Sequence, residues 1–193
     1  MLLVTAILSY LVGSIPFGIV FTRLFGKGDL RRVGSGNIGA TNVLRTGSKP
    51  AAALTLIFDV GKGAAAVIVA RLIFGETAAQ MAGTAAFLGH CYPIYLGFCG
   101  GKGVATFLGT VLALVWPIGL GVCATWIATA LLTRISSLSA LVAAALSPVW
   151  ALIFGVESFA AALAAMALVI FLRHRENIQR LIARTEPKIG QKN

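Results

Sequence analysis

Charge is what this sequence has least of. Asp and Glu together number 6 in 193 residues, Lys and Arg 16, and charged residues make up 11% of the chain. A soluble domain carries about 25%, so an ordinary water-facing surface is excluded. Cysteine is scarce too: Cys91, Cys99 and Cys123, all in or beside apolar segments. An odd count in a chain facing the cytoplasm argues against a disulfide framework. Histidine is limited to His90 and His174. No further Cys or His completes a ligand set around His90, Cys91 and Cys99, so neither metal nor cofactor is expected.

What is abundant is apolar surface. Hydrophobic residues make up 58%, mean hydropathy is +0.91, and the apolar residues come in long blocks. Segments 1–25, 50–74 and 77–98 each reach the roughly 20 residues that a bilayer crossing needs. These features predict an all-α, polytopic transmembrane bundle. The first block has no basic residue before Arg23 and far exceeds the roughly 7–15 residues of a signal-peptide core, so it reads as a retained helix.

The net charge of +10 does not call for nucleic acid. Arg23, Lys27, Arg31, Arg32, Arg45 and Lys49 follow the first apolar block, and Arg173, Arg175, Arg180, Arg184, Lys188 and Lys192 follow the last. Basic loops stay in the cytoplasm, which predicts an outward amino terminus and an inward carboxyl terminus. Anionic lipid is an expected neighbour. Segment 104–133 is long for one crossing and short for two. Two short helices turning near Trp116 and Pro117 keep Lys102 and Arg134 on the same face, giving seven crossings in all. The chain reads as one membrane domain, 1–193, with 181–193 as a flexible cytoplasmic tail.

Three polar stretches interrupt this pattern on the cytoplasmic side. Residues 34–42 spell G-x-G-x-x-G and close with Arg45. A dinucleotide loop is excluded, because Arg31 and Arg32 occupy the place of the buried strand that should precede it. Successive glycines still expose N–H groups that can ring an anion, with Ser35, Thr41 and Asn42 as added donors. The plainer alternative is an ordinary flexible loop. Residues 89–106 contain Gly100-Gly101-Lys102-Gly103. The spacing fails the P-loop pattern, yet a lysine between glycines just before a helix suits a phosphate. Its alternative is a basic membrane anchor. The third stretch is 173–178, where His174 and Asn177 are three apart and share a helix face. Asp59 and Lys62 lie inside an apolar helix at ion-pair spacing and read as a structural pair.

Together, the three stretches resemble the acyl-phosphate-dependent glycerol-3-phosphate acyltransferase family of bacterial membranes. Segments 35–42, 90–106 and 174–178 match in order, spacing and side, and Phe58-Asp59-Val60-Gly61-Lys62-Gly63 matches as well; Cys99 is a small departure. The resemblance implies that acyl phosphate and sn-glycerol 3-phosphate give 1-acylglycerol 3-phosphate and phosphate, the first step of phospholipid synthesis. It also implies a multi-pass enzyme of the bacterial inner membrane, monomeric, with a cytoplasmic active site. Carried onto this chain, glycerol phosphate contacts fall on Ser35, Arg45, Lys102, His174 and Asn177, of which Ser35, His174 and Asn177 form the catalytic set. Gly100, Gly101 and Gly103 shape the cradle of Lys102. Backbone N–H groups around Gly36, Asn37 and Thr41, with Asn42 beside them, are assigned to acyl phosphate. His90 and Ser139 complete the binding set. The proton acceptor is left open between His174 and a substrate phosphate oxygen.

Tyr95 and Gln179 stand five positions after the two histidines, so the H-x4-D pair of acyl-CoA-dependent glycerolipid acyltransferases is absent. The rival reading is a small transporter for phosphate-bearing anions. Transporters usually carry repeated halves, and the three Gly-Lys-Gly triplets around Lys27, Lys62 and Lys102 have unlike surroundings.

Overall fold

A computed structural model describes residues 1–190. Among them the chain is helical throughout, with no strand, and it divides into two compact units, Met1–Leu114 and Val115–Asn193.

The first unit holds α1 (Leu2–Gly13), α2 (Phe17–Leu24), α3 (Ala40–Arg45), α4 (Lys49–Phe74), α5 (Glu76–Cys91) and α6 (Val104–Leu114). Helix α4 is built inside-out for water and correctly for lipid. Its buried positions include Thr55, Asp59, Lys62, Gly63, Val67 and Ala70, which recur at helical spacing along one face. Leu56, Ile57, Ile68, Val69, Leu72 and Ile73 face outward. A helix with polar groups turned to its neighbours and aliphatic groups turned out fits hydrocarbon as the surrounding solvent.

Proline sets two of the boundaries. Pro16 lacks an N–H and separates α1 from α2, while Pro50 sits in the first turn of α4, where its missing donor costs nothing. Ser48 caps that helix, its hydroxyl accepting from the Ala51 N–H at 3.3 Å. Close helix contact requires small residues. A Cβ on Gly109 of α6 would lie 2.1 Å from the Val60 carbonyl oxygen of α4. The carbonyls at the end of α6 are capped by Arg71, which donates to Ala113 O at 2.6 Å and Leu114 O at 2.8 Å while paired to Glu76.

The second unit holds α7 (Trp116–Thr133), α8 (Ser136–Ile153), α9 (Ala160–Arg173) and α10 (Arg175–Ile182). The Trp150 indole lies over Gly121, and its N–H donates to Thr125 at 3.0 Å, joining α8 to α7. Segment 104–133 does form two helices. The break falls at Val115, with Trp116 and Pro117 opening α7 instead of closing α6. Pro at the first helical turn is favourable, so Pro117 starts a helix here.

By length and composition, four segments can cross a membrane: Leu2–Leu24, α4, α7 and α8. The α9–α10 pair, bent by 66°, makes a fifth if counted as one span. At 1.5 Å per residue, the 11 residues of α6 reach about 16 Å, roughly half of a 30 Å hydrocarbon core. Of the expected tail, residues up to 190 carry specific bonds: the Ile189 N–H donates to Arg134 O at 2.7 Å, and Glu186 accepts from Ser137 at 2.7 Å. Residues 191–193 lie outside the described residues.

Candidate active site

The loop from Gly34 to Arg45 is held from inside by one amide. Asn42 is 2% exposed. Its Nδ2 donates to Asn37 O at 2.8 Å and Val33 O at 2.9 Å, with Leu30 O further off at 3.3 Å, and its Oδ1 accepts from the Ser35 N–H at 3.2 Å. Expected as a donor to substrate, Asn42 is instead committed to its own loop. The Gly36 N–H is likewise committed, donating to Val33 O at 2.9 Å. Ser35 and Thr41 remain exposed on the surface of the loop, with Asn37 half-buried.

Arg45 folds back over the loop start. Gly34 has a φ of +52°, and a Cβ there would lie 2.8 Å from Arg45 Cδ and 3.0 Å from Nη1. Only glycine permits both the left-handed backbone and this approach. The fold therefore sets the guanidinium beside Gly34, next to Ser35. Arg31, by contrast, is spoken for: it forms a two-pronged pair with Asp29 at 2.9 and 3.0 Å. Hydrogen bonding from Arg31 holds the Asp29 carboxyl at about 2.

The second stretch is clamped onto the end of α5. The Gly101 N–H donates to His90 O at 3.0 Å. A Cβ on Gly101 would lie 2.1 Å from His90 Nε2, so the imidazole rests directly on this residue. Gly103, with a φ of +84°, packs on the Phe87 ring and Cys91 Sγ. Lys102 is half-buried between them, two residues before Val104 opens α6. The first turn of a helix and the lysine ammonium add up to a positive field, as phosphate binding requires.

Beneath these loops lies a buried ion pair. Lys62 Nζ is 2.9 Å from Asp59, with both side chains 2% exposed. Lys62 also donates to Ile15 O at 2.9 Å, at the α1–α2 break. The expected structural pair is therefore present, and it has a third member: His90 Nδ1 lies 3.5 Å from Asp59 Oδ1.

In the second unit, His174 and Asn177 are both buried at the α9–α10 corner. His174 Nδ1 is 2.8 Å from Ile170 O. A carbonyl only accepts, so Nδ1 carries the proton and Nε2 is the acceptor nitrogen of the neutral ring. The Asn177 amide donates to Glu186 Oε1, which also receives the Ser137 hydroxyl. Arg180 Nε donates to the other oxygen at 2.7 Å. Burial raises the Glu186 pKa, but the hydrogen bonds from Ser137, Asn177 and Arg180, with the charge of Arg180, win and hold it below the usual value. Ser139 is buried, its hydroxyl donating to Ile135 O at 2.9 Å. Among the described residues no cluster of His, Cys, Asp or Glu could hold a metal ion.

A family model described as glycerol-3-phosphate acyltransferase matches residues 3–184. The chain belongs to this glycerol-3-phosphate acyltransferase family. A glycerol-3-phosphate acyltransferase of Jannaschia sp. (strain CCS1) is 66% identical over 187 residues, covering 97% of this chain and 92% of its own length. One from Cereibacter sphaeroides (strain ATCC 17025) is 63% identical over 99% of this chain and 91% of its own. Among solved structures, the fold is similar to PlsY (YgiH), an integral membrane glycerol 3-phosphate acyltransferase, in its glycerol 3-phosphate form. That likeness has a TM-score of 0.92 and 38% identity, covering 98% of this chain and 96% of that one. The lysophosphatidic acid form of PlsY gives 0.88 and 35%, over 98% and 95%.

Two structural contributors to this acyltransferase escape a motif-based reading. Glu186 lies outside all three stretches, yet it fixes the Asn177 amide. The role of Asp59 beside His90 was hidden because 31 positions of sequence separate them. Its position inside an apolar helix and its place in the 58–63 match were visible signals, but neither pointed to His90.

Proposed function

We propose that this membrane enzyme transfers a fatty acyl group from acyl phosphate to the 1-hydroxyl of sn-glycerol 3-phosphate, releasing 1-acylglycerol 3-phosphate and inorganic phosphate. The observation that carries the proposal is family membership over residues 3–184. The loop geometry agrees with it: Lys102 in a glycine cradle before α6, and Arg45 folded beside Ser35.

The chemistry needs no covalent acyl-enzyme. Acyl phosphate is a mixed anhydride. The glycerol hydroxyl attacks its carbonyl carbon, the bond to the phosphate oxygen breaks, and phosphate leaves. Work for the protein lies in placing two phosphates and stabilising the oxyanion. Lys102 and Arg45 are assigned to phosphate, Arg45 with a fork suited to two oxygens at once. Ser35, His174, Asn177 and Ser139 are assigned to glycerol phosphate, and the backbone N–H groups of the 36–41 loop, other than the committed one of Gly36, to acyl phosphate. An oxygen of the departing phosphate takes the hydroxyl proton, which fits the shortage of carboxylates. His174, whose Nδ1–H is bonded to Ile170 O, is the second candidate acceptor.

In this reading the enzyme is a monomer of the bacterial inner membrane, crossing it seven times, with the loops cytoplasmic. Positive charge beside the first and last apolar segments supports that orientation. Purified enzyme in lipid nanodiscs is expected to turn over with acyl phosphate and not with acyl-CoA, undiminished by chelators. Robust turnover with acyl-CoA would overturn the donor assignment. Movement of glycerol 3-phosphate across sealed vesicles without product would favour the transporter.

A further inference from the structure

The buried Asp59 on α4 is in contact with both other members of its cluster. Its carboxylate pairs with Lys62 at 2.9 Å and lies 3.5 Å from His90 Nδ1. All three side chains are nearly inaccessible. A carboxylate, an ammonium and an imidazole gathered inside a helix bundle are expensive to bury. A helix could be packed at this point with small apolar residues, as it is at Ala51, Ala52, Val67 and Ala70. The arrangement of the ring gives the cluster a use.

His90 links this cluster to the second loop through its ring. A carboxylate beside Nδ1 favours the proton on that nitrogen and fixes the plane of the imidazole, as second partners do for histidines elsewhere. The opposite edge, Nε2, then bears on Gly101, at a spot where a Cβ would lie 2.1 Å away. The same residue's backbone carbonyl receives the Gly101 N–H at 3.0 Å. Gly101 is thus gripped twice, by the ring and by the main chain of one residue. The next residue is Lys102.

We propose that Asp59 and His90 are positioning residues: the carboxylate fixes the ring, and the ring sets the backbone from which Lys102 reaches a phosphate. Neither touches substrate. His90, expected from the sequence to bind substrate, here acts through the loop. Lys62 completes the device by neutralising Asp59 and tying it to Ile15 O at the α1–α2 break. This inference rests on the reading that Lys102 holds a substrate phosphate.

The test is a double-mutant cycle on the full-length enzyme in nanodiscs, with acyl phosphate saturating and glycerol 3-phosphate varied. His90→Asn is the variant of choice. Its shorter amide still reaches the side of Asp59, leaves the Asp59–Lys62 pair intact, and withdraws from Gly101. The KM for glycerol 3-phosphate is expected to rise about fivefold, with kcat changed less than about twofold. His90→Gln, whose amide reaches the place of Nε2, should recover most of this loss. Lys102→Ala should raise KM roughly tenfold. Adding His90→Asn to it should then do little more, about twofold at most, because the two act along one path.

Full multiplication of the two losses would overturn the positioning role while leaving Lys102 as a phosphate ligand. A loss confined to kcat would overturn it as well, as would an equal loss in His90→Gln and His90→Asn. An unchanged KM in Lys102→Ala would remove the phosphate reading, and with it this inference.

Discussion

Asn42 offers the clearest calculation in the molecule. Its amide is buried and makes two short donor bonds, to Asn37 O at 2.8 Å and Val33 O at 2.9 Å, plus one acceptor bond from Ser35 N at 3.2 Å. The 3.3 Å contact to Leu30 O shares a hydrogen already used, since an amide has only two. Asn42→Ala therefore removes three bonds worth about 1 kcal/mol each, or roughly 3 kcal/mol in closing the loop. If only the closed loop is competent, that corresponds to roughly a 100-fold loss in kcat/KM. Asn42→Asp should be no better. It retains an acceptor for Ser35 but turns a carboxylate towards carbonyl oxygens. The assay is phosphate release from acyl phosphate in nanodiscs, paired with hydrogen exchange over residues 30–45. Exchange there should accelerate while the transmembrane helices stay protected. An Asn42→Ala enzyme within about threefold of wild type, with unchanged exchange, would refute the argument.

Lys102→Ala and Arg45→Ala should each lose about tenfold or more in kcat/KM, since hydrogen bonds to charged groups contribute roughly 1.5–3 kcal/mol. Arg45→Lys should recover only part, and Arg184→Ala, outside the motifs, should match wild type; equal small losses in all would reduce these residues to membrane anchors. Glu186 has a native pKa below its ordinary 4.5, so its stabilisation is complete above the unfolded value and fades as pH falls through the depressed native one. Thermal midpoints of wild type and Glu186→Gln in detergent should accordingly differ at pH 7 and draw together as pH falls from the ordinary 4.5 through the depressed native value; a gap that does not narrow on acidification would contradict this. For orientation, Glu157→Cys should react with an impermeant thiol reagent from outside and Arg32→Cys should not. Because Cys99 is exposed, a Cys99→Ser background is needed, and labelling of both sites from one side would reverse the threading.

Much was decided locally. Charge scarcity and long apolar blocks determined a helical membrane bundle, because lipid allows a chain few other ways to satisfy its backbone. The ordered polar stretches pointed to phosphate chemistry as a set, through their resemblance to a family, since each alone also reads as a flexible loop or a membrane anchor. The Asp59–Lys62 pair was legible too, since residues three apart on one helix meet whatever else the fold does. Tertiary structure decided what each polar side chain is free to do. Asn42 looks like a donor in sequence and is a brace in three dimensions, because its loop curls around it. His90 faces Asp59 only because α5 packs on α4. Glu186 reads as tail and holds Asn177 only because the chain turns back after α10. A sequence names the groups that can bond. Which of them remain available to substrate depends on partners elsewhere in the chain, and only packing brings those partners into contact.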